Sequence, residues 1–345
     1  MSSIQNPCIL VLHGPEVFDA GDVSYLIDRL HPARVIVAGV MARTAAEESG
    51  ITCEFISVPP SFVLKDLPEG ALLANHGKTP ESGRIFGEIV ASRLVSRGLI
   101  HLECSDKTLY AWNRQVDPVV RHIAEKTGYR VTKETASERA GSSERSIRGC
   151  IKGEPVYVNG IVIGHATGPE VVLKIEEGNI VPVSGMVPKL HGLEKMGSMH
   201  QGDLSRVWCK SGTIRRNAPA FSCTEKREHG RVLFIDHCAH HLYTLLSPDV
   251  CGIVSVGDDT TSVCGHISSH RGIPVFGIID GDQDGIVEAR YAPGSVVAVA
   301  KNERDDDIGA EVRAMIPEGH VTWDDFVSHL ILLLGSRVTI SRYPG

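Results

Sequence analysis

Acidic residues follow three apolar runs in the last third of the chain: Asp236 after RVLFI, Asp258 with Asp259 after GIVSVG, and Asp280, Asp282 and Asp284 after IPVFGII. Each run reads as a parallel strand, and residues just past the carboxyl ends of the strands of an open α/β sheet share one crevice. Carboxylates gathered there repel one another, so they call for a divalent cation or a proton. Mg2+ is the expected ion, because it takes a few carboxylates and leaves its other positions to water and substrate phosphate. The expected metal ligands are Asp236, Asp280, Asp282 and Asp284, and the expected catalytic carboxylates are Asp236, Asp258 and Asp280. The D-x-D-x-D-G spacing also matches the start of a calcium loop, but Tyr291 stands at the twelfth position and the run follows a strand, which rejects an EF-hand. A solvated turn rich in Asp and Gly is the plain alternative.

Around this cluster, VGDDTT places Gly257, Thr260 and Thr261 at a strand-to-helix junction, where free amides favour phosphate. An N-cap role for Asp259, Thr260 or Thr261 competes with that reading. His237 and His241 are spaced i, i+4, with His240 beside them, and a helix there would put two imidazoles on one face for a transition metal.

The first third offers the ligand's other candidate partners. NHGKTPESG supplies Asn75, Gly77, Lys78 and Thr79 after a strand, although Leu72 stands where a P-loop needs its first glycine. A looser anion site is expected, with an ordinary capped loop as the alternative. AGVMARTA adds Arg43 and Thr44, and LHGPE adds His13, Gly14 and Glu16. Together they predict a crevice with cationic groups for a small anionic or phosphorylated ligand.

The 345 residues suffice for two ordinary domains, or three small ones. Residues 1–150 alternate short strands (ILVLHG, RVIVAG, ALLANHG, GLIHLEC) with helical stretches, which predicts a Rossmann-like parallel sheet. Residues 131–148 turn polar and read as a linker. Residues 151–216 read as a small antiparallel β module, with Asn159-Gly160 as a hairpin turn, and residues 217–345 as a second α/β domain. A formal charge of -7 excludes a general duplex-DNA binder. Nine cysteines without a CxxC pair exclude a zinc ribbon and read as reduced thiols. No apolar run reaches the roughly 18–20 residues of a membrane span, and no signal peptide precedes the first strand, so a cytoplasmic location is expected. Oligomeric state stays open, a homo-oligomer included.

HGPEVFDAG, AGVMARTA, NHGKTPESG, VYVNGIVIGHATG, HGLEKMG and GDDTTSVCGHISSHRGIPVFGIIDGDQDG resemble an uncharacterised archaeal family of methanogen type, a domain of unknown function, along nearly the whole chain. The resemblance implies a cytoplasmic archaeal protein and no established activity. Residues 231–303 are also similar in layout to the Toprim module of topoisomerases, primases and small nucleases. Asp280, Asp282 and Gly285 match its D-x-D-x-x-G element and Gly257 its glycine turn, while Asp236 stands where that module carries a catalytic glutamate. A rival resemblance is to the phosphofructokinase and NAD kinase group, which VGDDTT followed by RGIPVFGI imitates in part. The expected architecture is therefore α/β, with Rossmann-like and Toprim-like lobes around a β module. The expected function is Mg2+-dependent phosphoryl or nucleotidyl transfer, or phosphoester hydrolysis. The alternative is a non-catalytic ligand or metal sensor, or assembly factor, in archaeal cofactor metabolism.

Overall fold

A computed structural model describes residues 8–94, 97–136, 143–196, 204, 207–219 and 226–343. The chain is mixed α/β and forms two compact units, residues 1–218 and 219–345. The first unit therefore contains both the N-terminal sheet and the small β module, while the second begins within two residues of the boundary read from sequence.

The first unit is built on strands β1 (Ile9–His13), β2 (Arg34–Ala38), β3 (Glu54–Ile56), β4 (Leu72–Asn75), β5 (Leu99–Glu103), β6 (Thr108–Trp112) and β7 (Arg130–Glu134). They lie in the order β3-β2-β1-β4-β5-β6-β7. β1 to β5 are parallel, and β6 and β7 run the other way. Near-continuous apolar strands such as ILVLH and LLAN are what a sheet covered on both faces requires. One face packs helices Asp22–Leu30 and Pro118–Thr127 through Leu26, Leu30, Val120 and Ile123, and the other packs helix Pro80–Arg93 through Val90 and Ala91. The order reverses between β1 and β4, whose carboxyl ends, His13 and Asn75, are in register. That reversal is where doubly wound sheets open a ligand crevice.

The segment read as a linker is largely strand. Residues 130–134 are β7, and residues 144–148 form β8 (Glu144–Arg148), paired with β11 (Glu170–Glu176). Both are edge strands, where polar side chains face water and hide the strand pattern; residues 137–142 lie outside the described residues. β9 (Pro155–Val158) and β10 (Ile161–Ala166) pair through the Asn159-Gly160 turn, both residues at positive φ as such hairpins need. With β12 (Asn179–Ser184), β13 (Met186–Pro188) and β14 (Cys209–Ser211) they form two small antiparallel sheets around Val156, Ile163, Val171 and Leu173.

The second unit orders its strands β19-β15-β16-β17-β18-β20: β15 (His229–Asp236), β16 (Val250–Val256), β17 (Val275–Ile279), β18 (Ser295–Ala300), β19 (Val321–Thr322) and β20 (Val338–Tyr343). β15 to β18 are parallel and consecutive, with antiparallel strands at both edges. Helices Asp305–Arg313 and Trp323–Leu334 share one core with the sheet through Ile308, Val312, Trp323 and Leu330. Val263, Cys264 and Ile267 are buried on helix Asp258–Ser268, which follows β16. Among the described residues, no helix is long and apolar enough to cross a membrane.

A candidate cation site at the strand tips of the second unit

The four parallel strands of the second unit all lead to acid: Asp236 ends β15, Asp258 starts the helix after β16, Asp280 follows β17 and Asp305 starts the helix after β18. Oxygens of Asp258, Asp280 and Asp305 lie within 4.8 Å of one another. Ligand atoms of Asp236, His237 and Asp306 meet the same limit in a second group. Asp305 links the two sets: it feels the charges of Asp280, Asp306 and His237. The sequence reading anticipated Asp236, Asp258 and Asp280; it missed Asp305 and Asp306, and Asp236 falls in the neighbouring group rather than with the other two.

Local structure explains the convergence. Gly257 turns from β16 into its helix at φ 100°, a conformation open to glycine and strained for other residues. Gly309 lets helix Asp305–Arg313 lie directly on β16, since a Cβ there would come within 2.5 Å of Val256. Both Asp258 and Asp305 occupy first helical turns, where the helix dipole favours negative charge.

Asp258 is 5% exposed. Its Oδ2 accepts hydrogen bonds from the amides of Asp280 (3.0 Å) and Gly281 (3.1 Å), which pins the DGDQDG loop against the helix start. Its Oδ1 is buried without a hydrogen-bond partner among the described residues. Burial raises the Asp258 carboxyl above the usual carboxylate range; the two amides oppose this, and the charges of Asp282 and Asp280 add to it. Asp305, 7% exposed, is raised by burial and then by Asp280. The rest of the loop is more open. Asp280 and Asp282 are exposed, and the Asp284 amide donates to Asp259 Oδ1 at 3.2 Å.

His237 departs from the helical reading. It sits at φ 50°, ahead of a 3-10 turn at Ala239–His241, so it shares no helical face with His241. Instead its Nδ1 donates to Asp236 Oδ1 at 2.6 Å, since a carboxylate can only accept, with Asp306 3.8 Å away. The ring's Nε2 points to the Gly257 junction, where it would lie 3.0 Å from a Cβ on that glycine, with Thr260 Oγ1 nearby. The His240 and His241 rings lie 4.0 Å apart, tilted by 44°, and join no three-residue metal group among the described residues. Thr261 faces inward, its hydroxyl 2.8 Å from Ser255 Oγ.

In the first unit, the loop after β4 is held from below. Glu103 is fully buried and accepts from the Gly77 amide (2.9 Å), the Ser105 amide (3.0 Å) and the Asn75 side chain (2.9 Å). His101 bonds the other end of the Asn75 amide and accepts from Trp112. Asn75 therefore positions the loop from inside. Thr79 caps the next helix by a reciprocal pair with Ser82, its hydroxyl accepting at 3.1 Å and its amide donating at 3.0 Å. Lys78 is paired with Glu154 and donates to Ser211 Oγ at 2.9 Å. Arg43 bonds Glu47 and lies over the Phe55 ring, and Thr44 is buried with its hydroxyl on the Val40 carbonyl. His13 and Gly14 stand at the β1 tip, the ring stacked on Phe86.

Comparison with other proteins adds kinship without chemistry. Over 326 residues, the chain is 31% identical to an uncharacterised protein of Methanocaldococcus jannaschii, a match covering 87% of this chain and 88% of that one. No solved structure matches it. A family model matches residues 10–320, and the chain belongs to that family, described as an uncharacterized protein conserved in archaea (DUF2117).

Proposed function

We propose that the second unit binds Mg2+ at Asp258, Asp280 and Asp305 and supports phosphoryl or nucleotidyl transfer, or phosphoester hydrolysis, on a small phosphorylated or nucleotide ligand in the cytoplasm. Two observations carry it: Asp258 has a buried Oδ1 without a hydrogen-bond partner among the described residues, and a carboxylate oxygen of Asp258 lies within 4.8 Å of oxygens of Asp280 and Asp305. Leaving a buried acceptor unsatisfied costs roughly 1–3 kcal/mol, more when it is charged, and a cation removes that cost. An all-oxygen donor set fits a hard ion such as Mg2+ better than zinc.

A bound divalent ion would neutralise charge developing on the transferred group. The protein's own contribution is then positioning and proton transfer. Asp236 holds the His237 ring so that Nδ1 carries the proton and Nε2 offers a lone pair beside the helix start. That pair has the form of a general base with its orienting carboxylate. The start of helix Asp258–Ser268, the positive end of its dipole and not capped by a side chain, suits the phosphate oxygens together with the Thr260 hydroxyl. Asp282 and Asp284, on the exposed loop, would complete the site around the ligand.

The test is turnover of a panel of nucleotides and sugar phosphates with Mg2+ and with EDTA, in wild type, Asp258→Asn and His237→Gln. Mg2+-dependent product formation abolished by either substitution is the expected result. Tight binding without product in any arm overturns catalysis and supports a sensor.

A further inference from the structure

A different part of the molecule carries unused charge. Over the reversal between β1 and β4, strand β14 brings Lys210 and Ser211 against the loop after β4, fixed by the bond from Lys78 to Ser211 and by Glu154. Glu154 accepts from both Lys78 and Arg216, the latter at 2.6 Å, so those two cations share one carboxylate. Lys210 is only partly exposed, and its side chain makes no hydrogen bond or ion pair among the described residues. It lies within electrostatic reach of Glu16, Lys78, Glu154 and Arg216, and of His13 on the β1 tip. Three cations thus face two carboxylates, and the surplus charge sits where a doubly wound sheet admits ligands.

The neighbours define what the surplus charge would hold. The His13 Nδ1 lies 2.8 Å from the Ala38 carbonyl, which can only accept, so Nδ1 carries the proton and Nε2 is an acceptor. Burial keeps the ring neutral, with its pKa lowered to about 4. Glu16, folded back over Gly14, is a second acceptor, and burial raises its carboxyl. An ammonium with two such acceptors within its electrostatic reach suits an oxyanion that carries a neighbouring hydroxyl.

We infer that this crevice of the first unit binds a small hydroxylated oxyanion, a phosphate monoester or a carboxylate, with Lys210 as the cation that meets it. Lys78, the cation the sequence favours, holds the crevice wall in place through Glu154. The site depends on no metal, so it stands apart from the function proposed for the second unit.

Calorimetric titration of the full chain in EDTA with glycerol 3-phosphate and, separately, with glycerate tests this and tells the phosphate source from the carboxylate source. At least one should bind, Lys210→Met should weaken it about tenfold or more, as expected for a lost charge-assisted hydrogen bond, and Lys210→Arg should retain most of it. Asp258→Asn should leave it unchanged. The wild-type His13 C2 proton resonance, assigned with His13→Gln, should shift on addition, a readout that holds even if Lys210→Met does not fold. Binding of neither probe, no loss in Lys210→Met, or loss in Asp258→Asn would each overturn the inference.

Discussion

Asp258→Asn should separate electrostatic strain from structural support. Without metal, Asp258 faces Asp280 and Asp305 across no more than 4.8 Å. At that distance a like-charge pair costs about 3.5 kcal/mol at an effective dielectric of 20 and about 1 kcal/mol in water. Asp280 is exposed and belongs at the low end, while buried Asp305 belongs higher. The substitution therefore relieves roughly 2–4.5 kcal/mol. Against this, the two amides on Oδ2 keep an acceptor but lose its charge, at roughly 1–1.5 kcal/mol each. The net effect in EDTA therefore lies between about 1 kcal/mol against the variant and about 2.5 kcal/mol in its favour. Saturating Mg2+ shifts the balance to wild type, because wild type gains about 2.7 kcal/mol at a hundredfold excess over Kd and the variant does not. Native-state hydrogen exchange of the β16 amides, such as Ile253 and Val254, reads the stability of this unit alone. A loss above about 2 kcal/mol in EDTA, or an undiminished Mg2+ response, would refute the reasoning.

Three further outcomes follow from the same structure. Asp258 and Asp305 both titrate above the ordinary carboxylate range, so the folded state holds their protons more tightly than the unfolded chain. Their stabilisation is complete below about pH 4 and is lost as pH rises through the raised values. In EDTA, urea midpoints should therefore fall more steeply with rising pH in wild type than in Asp258→Asn, and saturating Mg2+ should remove the difference. Arg215 is buried between Asp19 (2.6 Å) and Glu48 (2.7 Å). Arg215→Ala strands two buried carboxylates and should cost about 3–5 kcal/mol in urea unfolding of the first unit; a cost under about 1 kcal/mol would show the pair is dispensable. Gly309→Ala should push helix Asp305–Arg313 off Val256, costing roughly 1–3 kcal/mol and weakening Mg2+ binding. Unchanged titration calorimetry would mean Asp305 does not depend on that close approach.

The sequence made legible whatever depends on local pattern. Apolar runs ending in Asp marked the tips of β15, β16 and β17, because a covered parallel strand is continuous and its exit is polar. Asp305 escaped because it starts a helix five residues beyond the end of β18, so no strand-end spacing announces it; the Asp305-Asp306-Asp307 run was its only signal. The pairing of His237 with His241 read from sequence failed for a related reason, since a positive φ broke the helical spacing before it began and turned the ring to Asp236. In the first unit, NHGK was found, but the roles of its residues depend on partners far along the chain. Asn75 is claimed by Glu103 and His101, and Lys78 by Glu154. Lys210 lies on a strand of three residues, too short for any periodicity, and reaches the crevice only through tertiary packing.

The account rests on one cation held by three carboxylates from three strand tips. Anomalous diffraction from crystals grown with Mn2+, which takes oxygen ligands as Mg2+ does, addresses it directly. The account predicts a peak bound by Asp258, Asp280 and Asp305 together, including Oδ1 of Asp258. A peak at His240 and His241, or no peak while Asp258 Oδ1 finds a protein or water donor, would contradict it.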